Sequence, residues 1–112
     1  MKIENIELYY LSMPEILDEA DGSQDALIVK VEAGGLVGWG ECEASPLTSI
    51  ANFICPKSHS AANPIRDSVI NQNINDLNDI KKIIETVKHR SLMIAQTPHT
   101  FSGIEVALLD LL

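Results

Sequence analysis

The sequence predicts an α+β fold, a three-stranded antiparallel meander followed by a helical bundle, on three observations. Short β-prone runs separated by turn residues fill the first third, prolines punctuate the middle, and apolar residues recur at helical spacing toward the end. The chain has 112 residues, enough for one domain with one modest core and too few for a second.

Ile3, Ile6 and Leu8, followed by Tyr9, Tyr10 and Leu11, give an apolar, aromatic-rich opening with partial period-two alternation, which predicts a strand over residues 2–11. Residues 12–24 combine Pro14 and Gly22 with Glu15, Asp18, Glu19 and Asp21, and Asp25 follows. That mixture breaks strands and stays solvated, so a mobile loop is expected. Ala-Leu-Ile-Val-Lys-Val at residues 26–31 and Leu-Val-Gly-Trp at residues 36–39 read as two more strands, with Glu32, Ala33, Gly34 and Gly35 between them. The two glycines supply the positive φ angles that a tight hairpin demands. Three successive strands joined in this way make a meander with one face available for helices.

After Cys42 the character changes. Pro46, Pro56 and Pro64 punctuate a stretch of Ser, Asn and small apolar residues, so only short helical turns and loops are expected before residue 64. With Asn75 as N-cap, Leu77, Ile80, Ile83, Ile84 and Val87 recur at helical spacing and predict an amphipathic helix over residues 76–90. Thr97, Pro98, His99 and Thr100 interrupt the pattern, and Ser102 with Glu105 then has the form of a capping box, so the last helix should start near residue 102. It carries Ile104, Val106, Ala107, Leu108, Leu109, Leu111 and Leu112, is apolar all round, and meets no glycine, proline or basic stop signal. The chain is therefore expected to be cut short at Leu112, with Leu108, Leu109, Leu111 and Leu112 forming an exposed apolar patch when it is isolated.

Composition bounds the function. A formal charge of −8, from 16 acids against 8 bases, repels phosphate backbones and anionic headgroups, which argues against nucleic-acid and membrane-surface roles. No apolar run approaches the length of a membrane span, and the start lacks a signal-peptide apolar core, so a cytoplasmic location is the expectation. Cys42 and Cys55 lack CxxC spacing and read as buried or half-buried free thiols. His59, His89 and His99 have no partner at i+3 or i+4 and do not suggest zinc. Glu41 and Glu43, two apart on a strand, could share a face as a carboxylate pair. The acids between Glu15 and Asp25 lack the spacing of a calcium loop and read as a solvated segment. Gly34, Gly35, Gly38 and Gly40 do not lead from a strand into a helix, as a dinucleotide fingerprint must. Trp39 reads as a packing anchor.

Two motifs stand in register: Gly-Leu-Val-Gly-Trp-Gly-Glu at residues 35–41 and Ser-Gly-Ile-Glu-Val-Ala-Leu-Leu-Asp-Leu-Leu at residues 102–112. With the strand, long loop and hairpin before them, they resemble the N-terminal capping domain of the mandelate racemase and muconate lactonizing enzyme family of the enolase superfamily. The family hairpin typically reads Gly-X-X-Gly-Trp-Gly-Glu, and its late helix Gly-Ile-(acidic)-X-Ala-Leu-Trp-Asp-Leu; Leu109 stands where tryptophan is usual. The resemblance implies a lid, residues 1–112, over a C-terminal (β/α)8 barrel, in a homo-oligomeric enzyme that removes the proton next to a substrate carboxylate. It further implies a Mg²⁺ held by barrel carboxylates, with the base and acid also on the barrel, so no catalytic residue or metal ligand is assigned to this sequence. It makes Glu41 a structural residue and gives Asp110 a salt-bridge or capping role.

The lid's substrate contacts are expected from two loops: residues 12–24, offering Met13, Pro14 and Ile16, and residues 43–54, offering Ser45, Pro46 and Leu47. Among family reactions the late helix most resembles that of the sugar-acid dehydratases; racemisation, epimerisation and cycloisomerisation are the alternatives. A stand-alone interaction module is the alternative from another class.

Overall fold

A computed structural model describes residues 1–19 and 24–112; residues 20–23, part of the expected mobile loop, lie outside the described residues. Strands β1 (Ile3–Leu11), β2 (Ala26–Ala33) and β3 (Leu36–Cys42) form an antiparallel sheet in the order β1-β2-β3, followed by helices α1 (Pro46–Ile54), α2 (Ile65–Val69), α3 (Leu77–Arg90) and α4 (Thr97–Leu111). This is the expected meander and helical bundle. The hairpin is tighter than expected: Ala33 pairs with Leu36, so Glu32 and Ala33 belong to β2, and the turn is Gly34 and Gly35 alone, at φ +56° and +78°. Those angles belong to the two-residue turn whose twist matches the flanking strands.

The sheet has two unlike faces. Leu27, Val29, Val31 and Ala33 alternate inward along β2 and are fully or almost fully buried against the helices, with Ile65, Ile74, Ile104 and Leu108 completing the core. The outer face carries Tyr9, Lys30, Glu32 and Trp39. Trp39 is not a buried anchor: it is 48% exposed, its ring lies 6.2 Å from that of Tyr9, and Lys30 Nζ sits 5.9 Å above it.

Three helix assignments differ from the sequence reading. Residues 46–54 are helix α1, not loop, because Pro46 occupies a first-turn position where its missing N–H costs nothing. The cap of α3 is Asp76, whose carboxylate accepts from the amides of Asn78 and Asp79; Asn75 lies one residue outside. The last helix begins at Thr97, so Ser102 is interior and donates to the His99 carbonyl instead of capping a terminus. Thr97 and Pro98 are a helix start, not an interruption. Within α4, Leu108 and Leu111 are buried against the sheet while Val106, Leu109 and Leu112 are about half exposed, so the expected four-leucine patch is reduced to Leu109 and Leu112.

Helix α4 lies unusually close to β3. A Cβ on Gly38 would sit 2.1 Å from the Ala107 carbonyl oxygen, one on Gly40 2.0 Å from the Gly103 carbonyl oxygen, and one on Gly103 2.5 Å from Cys42 Sγ. Backbone meets backbone here, which only glycine permits. Asp110 completes the contact by accepting the Trp39 amide at 2.9 Å. The two recognisable motifs of the sequence are thus the two halves of one interface.

Both cysteines are free, Cys42 buried and Cys55 half buried, as expected. Burial pushes the Cys42 thiol up to about 11, and its Sγ donates to the Thr100 carbonyl at 3.2 Å. Because this pKa is raised in the folded state, its stabilising contribution is complete below the unfolded thiol value near 9 and disappears as pH rises through about 11. Denaturation titrations at pH 8 and pH 11 should differ by roughly 2 kcal/mol more in the wild-type chain than in Cys42→Ala. At pH 8, Ellman's reagent should label Cys55 in the folded chain and reach Cys42 only after unfolding.

Candidate functional site

The two segments singled out as lid loops meet. A cleft of about 470 Å³ lies between the segment after β1 and the start of α1, lined by Tyr10, Ile16, Gln24, Asp25, Glu43, Ala44, Ser45 and Pro46. Of the six residues expected to touch substrate, Ile16, Ser45 and Pro46 line it. Met13, Pro14 and Leu47 do not, although all three are exposed, Leu47 at 67%.

Each wall has a local cause. Tyr10 is at the end of β1 and Asp25 just before β2, and antiparallel pairing of Leu11 with Ala26 brings them side by side. The Tyr10 hydroxyl donates to one Asp25 oxygen, and the Met13 amide donates to the other at 2.7 Å. Asp25 therefore ties the returning chain to both the strand and the loop. The Tyr10 hydroxyl, and after it the Met13 amide, hold the Asp25 carboxyl below its usual range, and the same bond raises the Tyr10 phenol. At neutral pH the pair is a charged acceptor and a committed donor, suited to holding shape and hydrogen-bonding a ligand, not to exchanging protons.

The opposite wall follows from the end of β3. Cys42 is its last residue, so the chain leaves the sheet before Glu43. Glu41 stays on the strand while Glu43 turns into the cleft, so the two do not act as a carboxylate pair. Ser45 is the N-cap residue of α1 and Pro46 its first-turn proline. Sequence reasoning missed Tyr10, Gln24, Asp25 and Glu43. The Ser45-Pro46 step is itself a helix-start signature that could have shown the second wall to be the beginning of a helix and not a loop.

Among the described residues no group of three His, Cys, Asp or Glu side chains is arranged to hold a metal ion. His59, His89 and His99 are exposed and far apart in sequence, with His89 in the last turn of α3. Among the described residues no helix is long and apolar enough to cross a membrane.

The family model for the mandelate racemase / muconate lactonizing enzyme N-terminal domain matches residues 16–112. The chain belongs to that family. A solved structure described as a predicted mandelate racemase from Rhodobacter sphaeroides is 56% identical over 98% of this chain, with a TM-score of 0.94. A second, of a protein provisionally described as a racemase, is 24% identical over 98% of this chain with a TM-score of 0.76, a likeness of fold alone. This mandelate racemase / muconate lactonizing enzyme domain spans 28% and 27% of those two chains. No curated protein matches it. The family match covers both cleft walls from Ile16 onward, the hairpin and α4; Tyr10 falls before it.

Proposed function

We propose that this domain caps the active site of a longer, Mg²⁺-dependent enzyme that removes the proton next to a carboxylate, and that the cleft between Tyr10 and Pro46 covers the far end of the substrate. The observation that carries this reading is the convergence of two segments, one ending at Asp25 and the other beginning at Glu43, on one cleft, in a domain that spans little more than a quarter of its solved relatives. The metal, base and acid belong to the barrel that the family implies. The lid's own work is to exclude water and fix the substrate's orientation.

Charge sets that orientation. Asp25 and Glu43 repel a substrate carboxylate, so the carboxylate end faces away from the cleft, toward the barrel. Glu43, the Ser45 hydroxyl, the Gln24 amide and the Tyr10–Asp25 pair then present donors and acceptors to the other end, while Ile16 and Pro46 give an apolar edge. A lining of this kind suits a hydroxylated acid, and dehydration of a sugar acid to a 2-keto acid is the reaction we favour. Racemisation is the second reading, because the structure 56% identical to this chain is described as a predicted mandelate racemase.

The test uses the full-length parent with Mg²⁺, a panel of aldonic and aldaric acids, and mandelate. Formation of keto acid, read with semicarbazide, supports dehydration; loss of optical rotation without keto acid supports racemisation. With whichever acid reacts, Glu43→Gln and Ser45→Ala should raise KM by about tenfold with kcat changed less than about threefold, the pattern for a contact made equally in ground and transition states. Unchanged KM in both variants would remove the cleft from the active site.

A further inference from the structure

Helix α1 is attached to the rest of the domain in a way the other long helices are not. Helix α3 buries Ile80, Ile83 and Val87, and α4 buries Ile104, Ala107, Leu108 and Leu111 beyond its first turns, whereas the buried residues of α1 are Ser49, Asn52 and Phe53. Thr100 Oγ1 donates to Ser49 Oγ at 2.9 Å, and Asn52 Nδ2 donates to the Ala95 carbonyl at 3.0 Å and to Thr97 Oγ1 at 3.1 Å. Gln96 reaches across from the start of α4: its Nε2 lies 3.4 Å from the Ser45 carbonyl oxygen and 3.5 Å from Ser49 Oγ. Gln96 itself has φ +63°, ψ +17°, a left-handed conformation that a non-glycine residue rarely holds. Its carbonyl accepts the Thr100 amide at 2.9 Å as the opening bond of α4, while its side chain makes no capping bond to that helix and reaches α1 instead.

We propose that Gln96 is a positioning residue, the centre of a polar latch that fixes the N-terminal half of α1, and with it the Ser45-Pro46 wall of the cleft, while Phe53 acts as the pivot. Phe53 is 3% exposed and belongs to the core, so the C-terminal end of α1 is anchored by apolar packing. Ahead of Ile50, which packs against the core beside the pivot, the first turn of α1 is held by the hydrogen bonds at Ser45 and Ser49, two of them long, each of which water can replace when the helix swings out. Asn52 Oδ1 is buried without a partner among the described residues, and opening returns it to solvent. Docked and open positions of α1 are therefore close in free energy, as a lid that admits and releases substrate requires. This role for the movement rests on the capping reading; the latch itself does not.

The experiment is hydrogen exchange on the chain without any ligand. Gln96→Gly removes the reaching amide and also the backbone strain, and Thr100→Val removes the hydroxyl on Ser49 at nearly constant shape. In both variants the amides of residues 49–52 should exchange about tenfold faster while those of residues 80–90 keep their protection, and in Gln96→Gly the melting temperature should stay level or rise. Unchanged exchange in α1 overturns the latch. So does a uniform loss of protection with a lowered melting temperature in Gln96→Gly, the behaviour of an ordinary structural residue. If α1 exchange rises as expected while Gln96→Gly leaves KM of the full-length parent unchanged, the latch stands and the capping reading falls.

Discussion

Gly40→Ala should all but abolish the fold. The added methyl would sit 2.0 Å from the Gly103 carbonyl oxygen and 2.9 Å from the Ala107 amide nitrogen, both backbone atoms of a long helix that cannot step aside alone. Relief requires α4 to lift off β3 as a unit, which loosens the Gly38 contact, the Asp110 bond to the Trp39 amide and the seat of Cys42 together. Overpacking a side chain costs about 1–3 kcal/mol, and here several contacts go at once, so a loss of roughly 4 kcal/mol or more is expected. Against a total of about 5–15 kcal/mol this leaves a chain that is marginal or unfolded at 37 °C. Urea titration followed by the fluorescence of Trp39, the single tryptophan, measures it. Gly35→Ala is the control, because nothing lies within 4 Å of its added Cβ and only the positive φ resists it. That change should cost about 1 kcal/mol. Equal losses at the two positions would mean that close approach of α4 does not decide the matter.

Asp25→Ala should free the segment after β1 without unfolding the sheet. Asp25 holds the Met13 amide and the Tyr10 hydroxyl, and Met13 and Ile16 are both 40% exposed or more. A glutamate-specific protease has targets at Glu15 and Glu19, and cleavage there should quicken by about tenfold while the melting temperature falls by only a few degrees. Acid should imitate the substitution. The Asp25 pKa is lowered in the folded chain, so its tether is at full strength above the ordinary aspartate value near 4 and weakens as pH falls through the lower folded value. A protease profile that is flat on acidification, with the enzyme's own pH response subtracted, would contradict this account of the tether.

The sequence was most legible where local physics decides. Gly34 and Gly35 demand a positive-φ turn, and the apolar stripe from Ile80 to Val87 demands a helix, whatever surrounds them. Proline was less legible because its meaning depends on position: Pro46 and Pro98 read as interruptions and are first-turn residues of α1 and α4. The pairing of Ser102 with Glu105 imitated a cap in the middle of a helix that had already begun. Of the cleft, the two segments were placed but their key side chains were not. The bond between Tyr10 and Asp25 spans 15 residues and exists only once β1 and β2 are paired, so no spacing in the sequence announces it. Gly38 and Gly40 did carry a signal, since glycines two apart inside a strand mark one face approached by backbone; what approached it could be learned only from the position of Gly103 on α4.

The bond from the Trp39 amide to Asp110 reaches beyond the domain's own stability. Strand β3 forms one border of the sheet, and a carboxylate from α4 occupies a main-chain donor there that a foreign strand would need. Recruitment of another chain by edge-to-edge pairing is thus obstructed on that side. The other border, β1, has its first residues matched with the segment around Asn73, through the bonds that link Ile3 with Asn71 and Gln72. Among the described residues no strand pairs with the remainder of that border, and there Glu4 and Glu7 put negative charge on a strand that a neighbour would otherwise extend into aggregates.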